Sequence, residues 1–398
     1  MSAPLTLFIV TGEHSGDALG GKLMAALKRH HAGPIRFLGV GDAAMAAEGL
    51  ASLYPMTEVA VMGPLAILKR LPWIVRRVYQ TVDAALAAEP DAVIIIDAPE
   101  FTHPIAKRIR KRAPQIPIID YVSPTVWAWR PGRARKMRPY VDHLLALLPF
   151  EPEAHARLGG PPCSYVGHPL IERLEGFRSH DPGALGARLG LDPGKPVIVV
   201  LPGSRSSEVV RLMEPFGAAL RLLQEAGRAF EVIIPVVPHV RGLVEAGLAD
   251  WPVVPHLVEG EADKLAAFRL GRVALAASGT VTLELALMGT PMVVAYRVDG
   301  VAAQLRFLLK VHSVVLANLV LGENAFPEYL QEDCVPDKLA AAVSELLVDS
   351  PAWHAQRSAL DRIPDKMRLP AGTPSDRAAA IVLDTIGLSG AGRPGEPA

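Results

Sequence analysis

Ala92–Phe101 reads AVIIIDAPEF, five apolar residues followed by an aspartate, a proline and a glutamate. An apolar run with no polar alternation is the pattern of a parallel strand whose sheet is covered by helices on both faces. Its end then lies at the carboxyl edge of the sheet, where the loops leaving the strands line a crevice and ligands bind. Asp97 and Glu100 are therefore candidates for chemistry. The same residues also match a helix start. Asp97 with Glu100 three positions on has the spacing of a capping box, and Thr102 before His103-Pro104 offers a second N-cap.

Outward from this strand the pattern recurs. Strands are expected at Leu5–Val10, Ile35–Val40, Ile116–Tyr121 and His143–Leu147, with helical stretches at Gly20–His30, Pro72–Ala88 and Ile105–Ala113 between them. After the Gly/Pro/Asp-rich stretch 176–196 a second series begins, with strands at Val197–Leu201, Glu231–Val236, Val273–Ala276 and Met292–Tyr296. Strand and helix alternate in both halves, which specifies an α/β protein with two parallel sheets. The expected domains are 1–175 and 176–350, and the cleft between them is the default site. A helical segment over 351–385 is expected to pack back toward the first domain, and 386–398 (LSGAGRPGEPA and the residues before it) to be a disordered tail.

Composition narrows the function. A chain of 398 residues, half of them apolar, can bury two cores, and 34 glycines with 36 prolines stay below the share that marks low-complexity sequence. Cys163 and Cys334 have neither the number nor the spacing of a disulfide framework or a zinc site, which leans toward a cytoplasmic setting. The start MSAPLTLFIVTGEHSGD lacks a basic n-region, and no apolar run reaches the roughly 18 residues of a spanning helix. Formal net charge is zero, yet Lys107–Arg138 holds ten Lys or Arg against one acid, Asp120. That excess favours an anionic partner, unless it forms an ordinary solvated face.

Three loops carry candidate ligand-binding chemistry. The first strand exits into TGEHSGDALGGKL, where Gly12 and Gly16 permit a tight turn and Glu13, His14, Ser15 and Asp17 crowd the helix start. It is neither a Walker motif nor a convincing GxGxxG, so nicotinamide binding has little support. The second series opens with VIVVLPGSRSSEVVR, in which Arg205 can grip a diphosphate or pair with Glu208 at i+3. Further on, Ser278-Gly279-Thr280 starts an apolar helix suited to a phosphate, or Thr280 is a plain N-cap. Glu284, one turn on, needs a partner: ribose hydroxyls, or a Lys or Arg from elsewhere.

Two segments have apolar and basic residues interleaved. YVSPTVWAWRPGRARKMRPY can stack bases or sit at a lipid interface. MGPLAILKRLPWIVRRVY (62–79) has apolar residues at 67, 71, 74, 75 and 78 with Lys69, Arg70, Arg76 and Arg77 between them. It reads as a core-facing helix, or as an interfacial element dipping Leu68 and Trp73 among acyl chains.

From Leu5 to about Leu347 the chain resembles the lipid-A-disaccharide synthases, glycosyltransferases of the two-Rossmann-domain (GT-B) architecture with parallel sheets facing a central cleft. The signatures are GEHSGD, VMGPLAIL, IDAPEF, YVSPTVWAWR, LPFEP, VGHP, LPGSRSSEV, SGTVTLE and NLVLGENAFPEYLQE, in the family's order. The resemblance implies transfer of 2,3-diacylglucosamine from a UDP-sugar lipid donor to 2,3-diacylglucosamine 1-phosphate, a monosaccharide lipid acceptor, in lipopolysaccharide synthesis. It implies Asp97 as catalytic base, and substrate contacts from Glu13, His14, Ser15, Gly16, Asp17, Arg205, Ser278, Gly279, Thr280, Glu284, Asn318 and Gln331. It departs from the family at His14, Asp42, Thr102 and Glu323. No Asp-x-Asp pair is placed for a divalent ion, so neither metal nor cofactor is expected, nor a nucleic-acid partner. An enzyme acting on bilayer lipids must dock at the inner face of the inner membrane, and Leu65–Val78 with Lys107–Arg138 are the candidate surfaces; a homodimer is compatible with the sequence. The rivals are a UDP-N-acetylglucosamine 2-epimerase, which shares the UDP cradle, and a basic, aromatic RNA-binding protein.

Overall fold

The computed structural model describes residues 4–60, 64–174, 176, 181–298 and 311–388, with 64–69 as backbone only. The chain divides into two compact units, one comprising Met1–Pro169 and Leu369–Ala398, the other Leu170–Arg368.

In the first unit seven parallel strands are β1 (Leu5–Thr11), β2 (Ile35–Val40), β3 (Ala51–Ser52), β4 (Ala92–Ile96), β5 (Ile118–Tyr121), β6 (His143–Ala146) and β7 (Cys163–Tyr165), in the order β3-β2-β1-β4-β5-β6-β7. The apolar runs are unbroken because both faces are covered. Leu7, Ile9, Ile94 and Ile96 pack with Leu23 and Leu27 of the helix His14–His30 and with Ala378 and Val382 of the helix Pro374–Thr385. Their neighbours Phe8, Val10, Val93 and Ile95 pack on the other face with Val78 and Val82 of the helix Pro64–Ala88 and with Ile105 and Ile109 of the helix Pro99–Arg112. Each such side chain contributes about 1.5–3 kcal/mol on leaving water.

The second unit repeats the plan with six parallel strands: β8 (Val197–Leu201), β9 (Glu231–Pro235), β10 (His256–Val258), β11 (Gly271–Ala277), β12 (Met292–Tyr296) and β13 (Glu328–Leu330), ordered β10-β9-β8-β11-β12-β13. Both sheets are doubly wound, so each has a point where successive connections leave in opposite directions and open a crevice at the carboxyl ends. In the first sheet that point lies between β1 and β4, with Thr11 level with Ile96. In the second it lies between β8 and β11, with Leu201 level with Ala276.

The structure departs from the expected elements in particular places. The short edge strands β3, β7, β10 and β13 carry too few residues to show a period. Helices begin earlier than expected, at His14, Pro64 and Pro99; the last two open on proline, which is tolerated in the first helical turn, and run on through Pro72 and Pro104. The segment 351–385 is divided between the units. The helix Pro351–Met367 stays in the second, where Gln356 clamps Met292 by accepting from its N–H at 2.8 Å and donating to its carbonyl at 3.1 Å. The helix Pro374–Thr385 belongs to the first, with Arg377 donating to the Tyr165 carbonyl at 2.8 Å. Of the expected tail, 389–398 lie outside the described residues.

Candidate active site

At the first switch point β4 is followed by Asp97 and Ala98, consecutive non-glycine residues with φ of 52° and 44°. Left-handed backbone at such residues costs roughly 1–3 kcal/mol each and persists only where the surroundings hold it. Here the Asp97 N–H donates to the Tyr121 carbonyl at 3.0 Å, and Thr102 Oγ1 donates to the carbonyls of Asp97 at 2.7 Å and Ala98 at 3.2 Å. Neither expected cap is made. Ala98 is the N-cap, Thr102 is inside the helix, and Glu100 reaches Arg133 instead of the backbone, a hydrogen bond that holds its carboxyl below the usual range. The strained turn directs the Asp97 carboxylate toward the exit of β1, where its Oδ2 accepts from Ser15 Oγ at 3.4 Å while Oδ1 takes the Ala98 N–H at 2.8 Å.

The polar turn after β1 splits in two. Glu13, His14 and Ser15 are exposed, whereas Gly16 and Asp17 are buried. A Cβ at Gly16 would lie 2.1 Å from Thr11 Oγ1 and 3.3 Å from the Ile96 carbonyl, so the glycine lets the helix close on both strands. Asp17 holds the start of the next helix, Ala43–Ala47: Oδ1 accepts from Asp42 N at 2.7 Å and Met45 N at 3.2 Å, and Oδ2 from Ala44 N at 2.9 Å. Two of the departures from the family pattern meet here, since His14 Nδ1 lies 3.3 Å from Asp42 Oδ2. A third, Glu323, pairs with Arg362.

Behind Asp97 lies a buried chain that sequence reasoning missed. Asp120, on β5, is 1% exposed. Its Oδ2 is 3.3 Å from His103 Nε2, and His103 Nδ1 is 2.9 Å from the Tyr140 hydroxyl. Burial pushes the Asp120 carboxyl up, His103 opposes this, and the charge of Asp97 adds to it. The available signal was a carboxylate inside the apolar strand IIDY. In front of this chain is a cavity of about 510 Å³ with His103 and Tyr140 among its lining residues, and with Lys107, Arg130, Arg133, Lys136 and Glu100 around it.

The segment Tyr121–Arg130 bends through positive φ at Val122, Thr125 and Arg130. Buried Glu151 pins it, accepting from Trp127 Nε1 at 2.9 Å and Leu148 N at 2.9 Å, with burial raising its carboxyl to about 7. Ser123 Oγ and His155 Nε2 are 2.8 Å apart, and burial lowers the imidazole to about 4. Trp127 is therefore half-buried, its indole N–H turned inward to Glu151. Trp129 stays exposed under the Arg130 guanidinium, 4.1 Å from its ring centre.

The second switch point opens into a cavity of about 530 Å³ at the ends of β8, β9 and β11. It gathers Arg205, Ser278, Gly279, Thr280 and Glu284, and adds Lys264. The expected Arg205–Glu208 pair forms at 2.8 Å, but it is no surface pair: the Glu208 side chain is 6% exposed against 65% for Arg205. The other Glu208 oxygen accepts from Ser204 N at 3.1 Å and Arg205 N at 3.2 Å, and the Tyr296 hydroxyl donates to the first at 3.0 Å. A buried carboxylate thus aims the guanidinium at the mouth of the cavity. Gly203, with φ of 115°, is required because a Cβ there would lie 2.5 Å from Glu208.

The helix Val281–Met288 starts at the cavity wall with Thr280 as N-cap, which makes no side-chain cap bond. Among the described residues nothing bonds to the N–H groups of Gly279, Thr280 and Val281, the orphan donors of a helix start. Glu284 has its structural partner: Lys264 Nζ lies 2.6 Å from Oε2. Lys264, from the helix Glu261–Leu270, was not legible as a site residue because only the fold brings it there. Asn318 and Gln331 do not line the cavity. Asn318 is buried, donating to Ser313 Oγ at 3.1 Å and the Phe326 carbonyl at 2.9 Å and accepting from Phe326 N at 2.9 Å. Gln331 Oε1 accepts from Val298 N at 2.6 Å. Among the described residues no three His, Cys, Asp or Glu side chains converge to hold a metal, and no helix is long and apolar enough to cross a membrane.

Two doubly wound parallel sheets in one chain are the GT-B plan of sugar-nucleotide enzymes, and solved structures share it. The UDP-GlcNAc 2-epimerase of Neisseria meningitidis aligns with a TM-score of 0.61 at 13% identity, covering 96% of this chain and 98% of its own. A glycosyltransferase from Rickettsia africae aligns with a TM-score of 0.60 at 11% identity, covering 98% and 100%. Such identities show the fold alone. Within it the chain is a glycosyltransferase and belongs to the lipid-A-disaccharide synthase family. The family model for lipid-A-disaccharide synthetase matches residues 7–382. Relatives named lipid-A-disaccharide synthase are 54% identical in Rhodopseudomonas palustris (strain HaA2) and 53% identical in Bradyrhizobium diazoefficiens, each match covering 96% of both chains. Neither the epimerase nor the RNA-binding alternative is favoured by these matches.

Proposed function

We propose that the chain joins UDP-2,3-diacylglucosamine to O6 of 2,3-diacylglucosamine 1-phosphate, forming a β-1′,6-linked disaccharide 1-phosphate and UDP in one in-line displacement. An α-linked donor that yields a β-glycoside requires a single inversion. The acceptor hydroxyl is far too weak an acid to ionise beforehand, so its proton moves to Asp97 as the oxygen attacks. Negative charge builds on the departing diphosphate, and Arg205 with the N–H groups of Gly279, Thr280 and Val281 stabilises it. Glu284, held by Lys264, accepts from ribose hydroxyls. Glu13, His14 and Ser15 face the acceptor, whereas Gly16, Asp17, Asn318 and Gln331 position backbone around the two sites.

The observation that carries this reading is the matched pair of switch points: a carboxylate at one, and at the other a cation with N–H groups that have no partner among the described residues. Mass spectrometry of products from both lipid substrates tests it. A tetraacyl disaccharide phosphate with stoichiometric UDP is expected, and free sugar formed from the donor without acceptor would overturn it in favour of an epimerase.

Docking follows from the lipid substrates, and the helix Pro64–Ala88 supports it. Its apolar residues do not form one core face. Ile74, Val78 and Val82 pack inward, while Leu71, Val75 and Tyr79, at i, i+4 and i+8, form an exposed stripe. Arg70, Arg76 and Arg108 accompany the stripe, the last 4.8 Å from the Tyr79 ring centre. Trp73 is tied down by its Nε1–Glu58 bond of 2.9 Å and by Arg77 over its ring, and the Leu65–Leu68 side chains lie outside the described residues. The Lys107–Arg138 cations are not one face either, since Arg110 and Arg112 pair with Asp142 and Asp83. We assign peripheral binding at the inner face of the inner membrane to the 71/75/79 stripe. The double variant Leu71→Ser/Val75→Ser should leave anionic vesicles in flotation assays with an unchanged unfolding midpoint. Retained flotation would refute the assignment, and loss of folding would move the stripe into the core.

A further inference from the structure

The cavity beside Asp97 has no role in the displacement as described, yet its composition is unusual for this neutral chain. Four cations, Lys107, Arg130, Arg133 and Lys136, line it against one carboxylate, Glu100. Glu100 is already engaged by Arg133, with Arg130 Nη1 at 3.9 Å from the same oxygen. Among the described residues neither lysine has a carboxylate within ion-pair distance, and Lys107 Nζ sits 5.0 Å from the Tyr140 ring centre. A concave site with uncompensated like charges concentrates anions of the opposite sign. Arginine forks and lysine point charges together suit a phosphomonoester, which carries about −1.5 to −2 charge and three acceptor oxygens at neutral pH.

Position narrows the ligand further. The cavity begins at Pro99 and Glu100, two and three residues beyond Asp97, so its near edge adjoins the turn that carries the carboxylate. A hexose with a phosphate at one end and a free hydroxyl at the other has a group for each. The volume of about 510 Å³ admits a sugar phosphate, not merely an inorganic ion. The floor is fixed, because His103 and Tyr140 are both 5% exposed and locked to each other and to Asp120.

We infer that this cavity is a phosphomonoester subsite that holds the 1-phosphate of the acceptor sugar and so sets its 6-hydroxyl against Asp97. The identity of the sugar rests on the proposed transfer; the anion site rests on the cavity itself. Lys107 and Lys136 are the residues to test, since both are exposed and removing them breaks no ion pair among the described residues. Lys107→Ala/Lys136→Ala in the full chain should fold with the parent melting temperature. Calorimetric titration with glucosamine 1-phosphate at fixed ionic strength should show binding to the parent and at least tenfold weaker binding to the variant, with glucosamine giving no heat in either. In detergent micelles free of anionic lipid, KM for the phosphorylated acceptor should rise about tenfold or more with kcat within threefold, and KM for the same acceptor lacking the phosphate should not move.

Equal titration of parent and variant by the sugar phosphate overturns the inference, whether or not the protein makes disaccharide. A parent that makes no disaccharide but shows the titration difference refutes the transfer reading and supports the subsite. If the variant loses only its binding to phosphatidylglycerol vesicles, with titration and KM unchanged, the cations serve a lipid surface and the subsite is wrong.

Discussion

Asp97→Asn should lower kcat by about 10²–10⁴ while leaving the protein folded, the range expected if Asp97 is the general base. Asparagine preserves what the structure asks of this position besides basicity. It keeps an oxygen to accept the Ala98 N–H, now 2.8 Å from Oδ1, and it tolerates the left-handed φ of 52° as well as aspartate does. What it lacks is the capacity to take a proton. The deficit therefore belongs in kcat, with donor KM little changed, in single-turnover product assays alongside urea unfolding. Parent-like turnover by a folded Asp97→Asn protein would end the assignment and return the carboxylate to a local backbone role.

Arg205→Gln should lower kcat/KM for the UDP donor by about 10²–10³, the loss expected when one preorganised donor to a developing negative charge is removed. Glutamine is chosen over alanine because Glu208 is buried. Stripping its partner outright would leave a desolvated carboxylate dependent on the N–H groups of Ser204 and Arg205 and the Tyr296 hydroxyl. A side-chain amide still donates there but carries no charge to the diphosphate. Product inhibition by UDP should weaken in parallel, which separates loss of anion binding from misfolding. Undiminished kcat/KM with undiminished UDP inhibition would mean that Arg205 serves only its helix start.

The sheet centres were legible because AVIIID, LTLFIV and VIVVLP are apolar without interruption, a pattern imposed by helices on both faces. The positions of Asp97 and Ser278 at strand exits followed from the same runs, since the loop begins where the apolar run stops. Other features had no local signature. The left-handed turn at Asp97 and Ala98 leaves no mark in residue type, as neither is glycine. Capping chemistry read from Asp97 and Glu100 gave way to partners far along the chain, Ser15 and Arg133, while Thr102 turned back to the carbonyls of Asp97 and Ala98. The helix 64–88 shows the limit of periodicity: 71, 74, 75 and 78 fall close together on a helical wheel, and only packing separates those turned inward from those left outside. Lys264 and Asp120 reach their partners through the meeting of separate elements, which spacing cannot encode.

The division of the chain also bears on how the molecule is made. The first sheet borrows its closing helix, Pro374–Thr385, from the end of the sequence, after the whole second unit has been threaded. Until Ala378 and Val382 have been made, the face of the first unit around Leu23 and Leu27 lacks the side chains that pack against it in the finished fold. A stop codon near position 368 should therefore spare the second unit and cripple the half that was synthesised first.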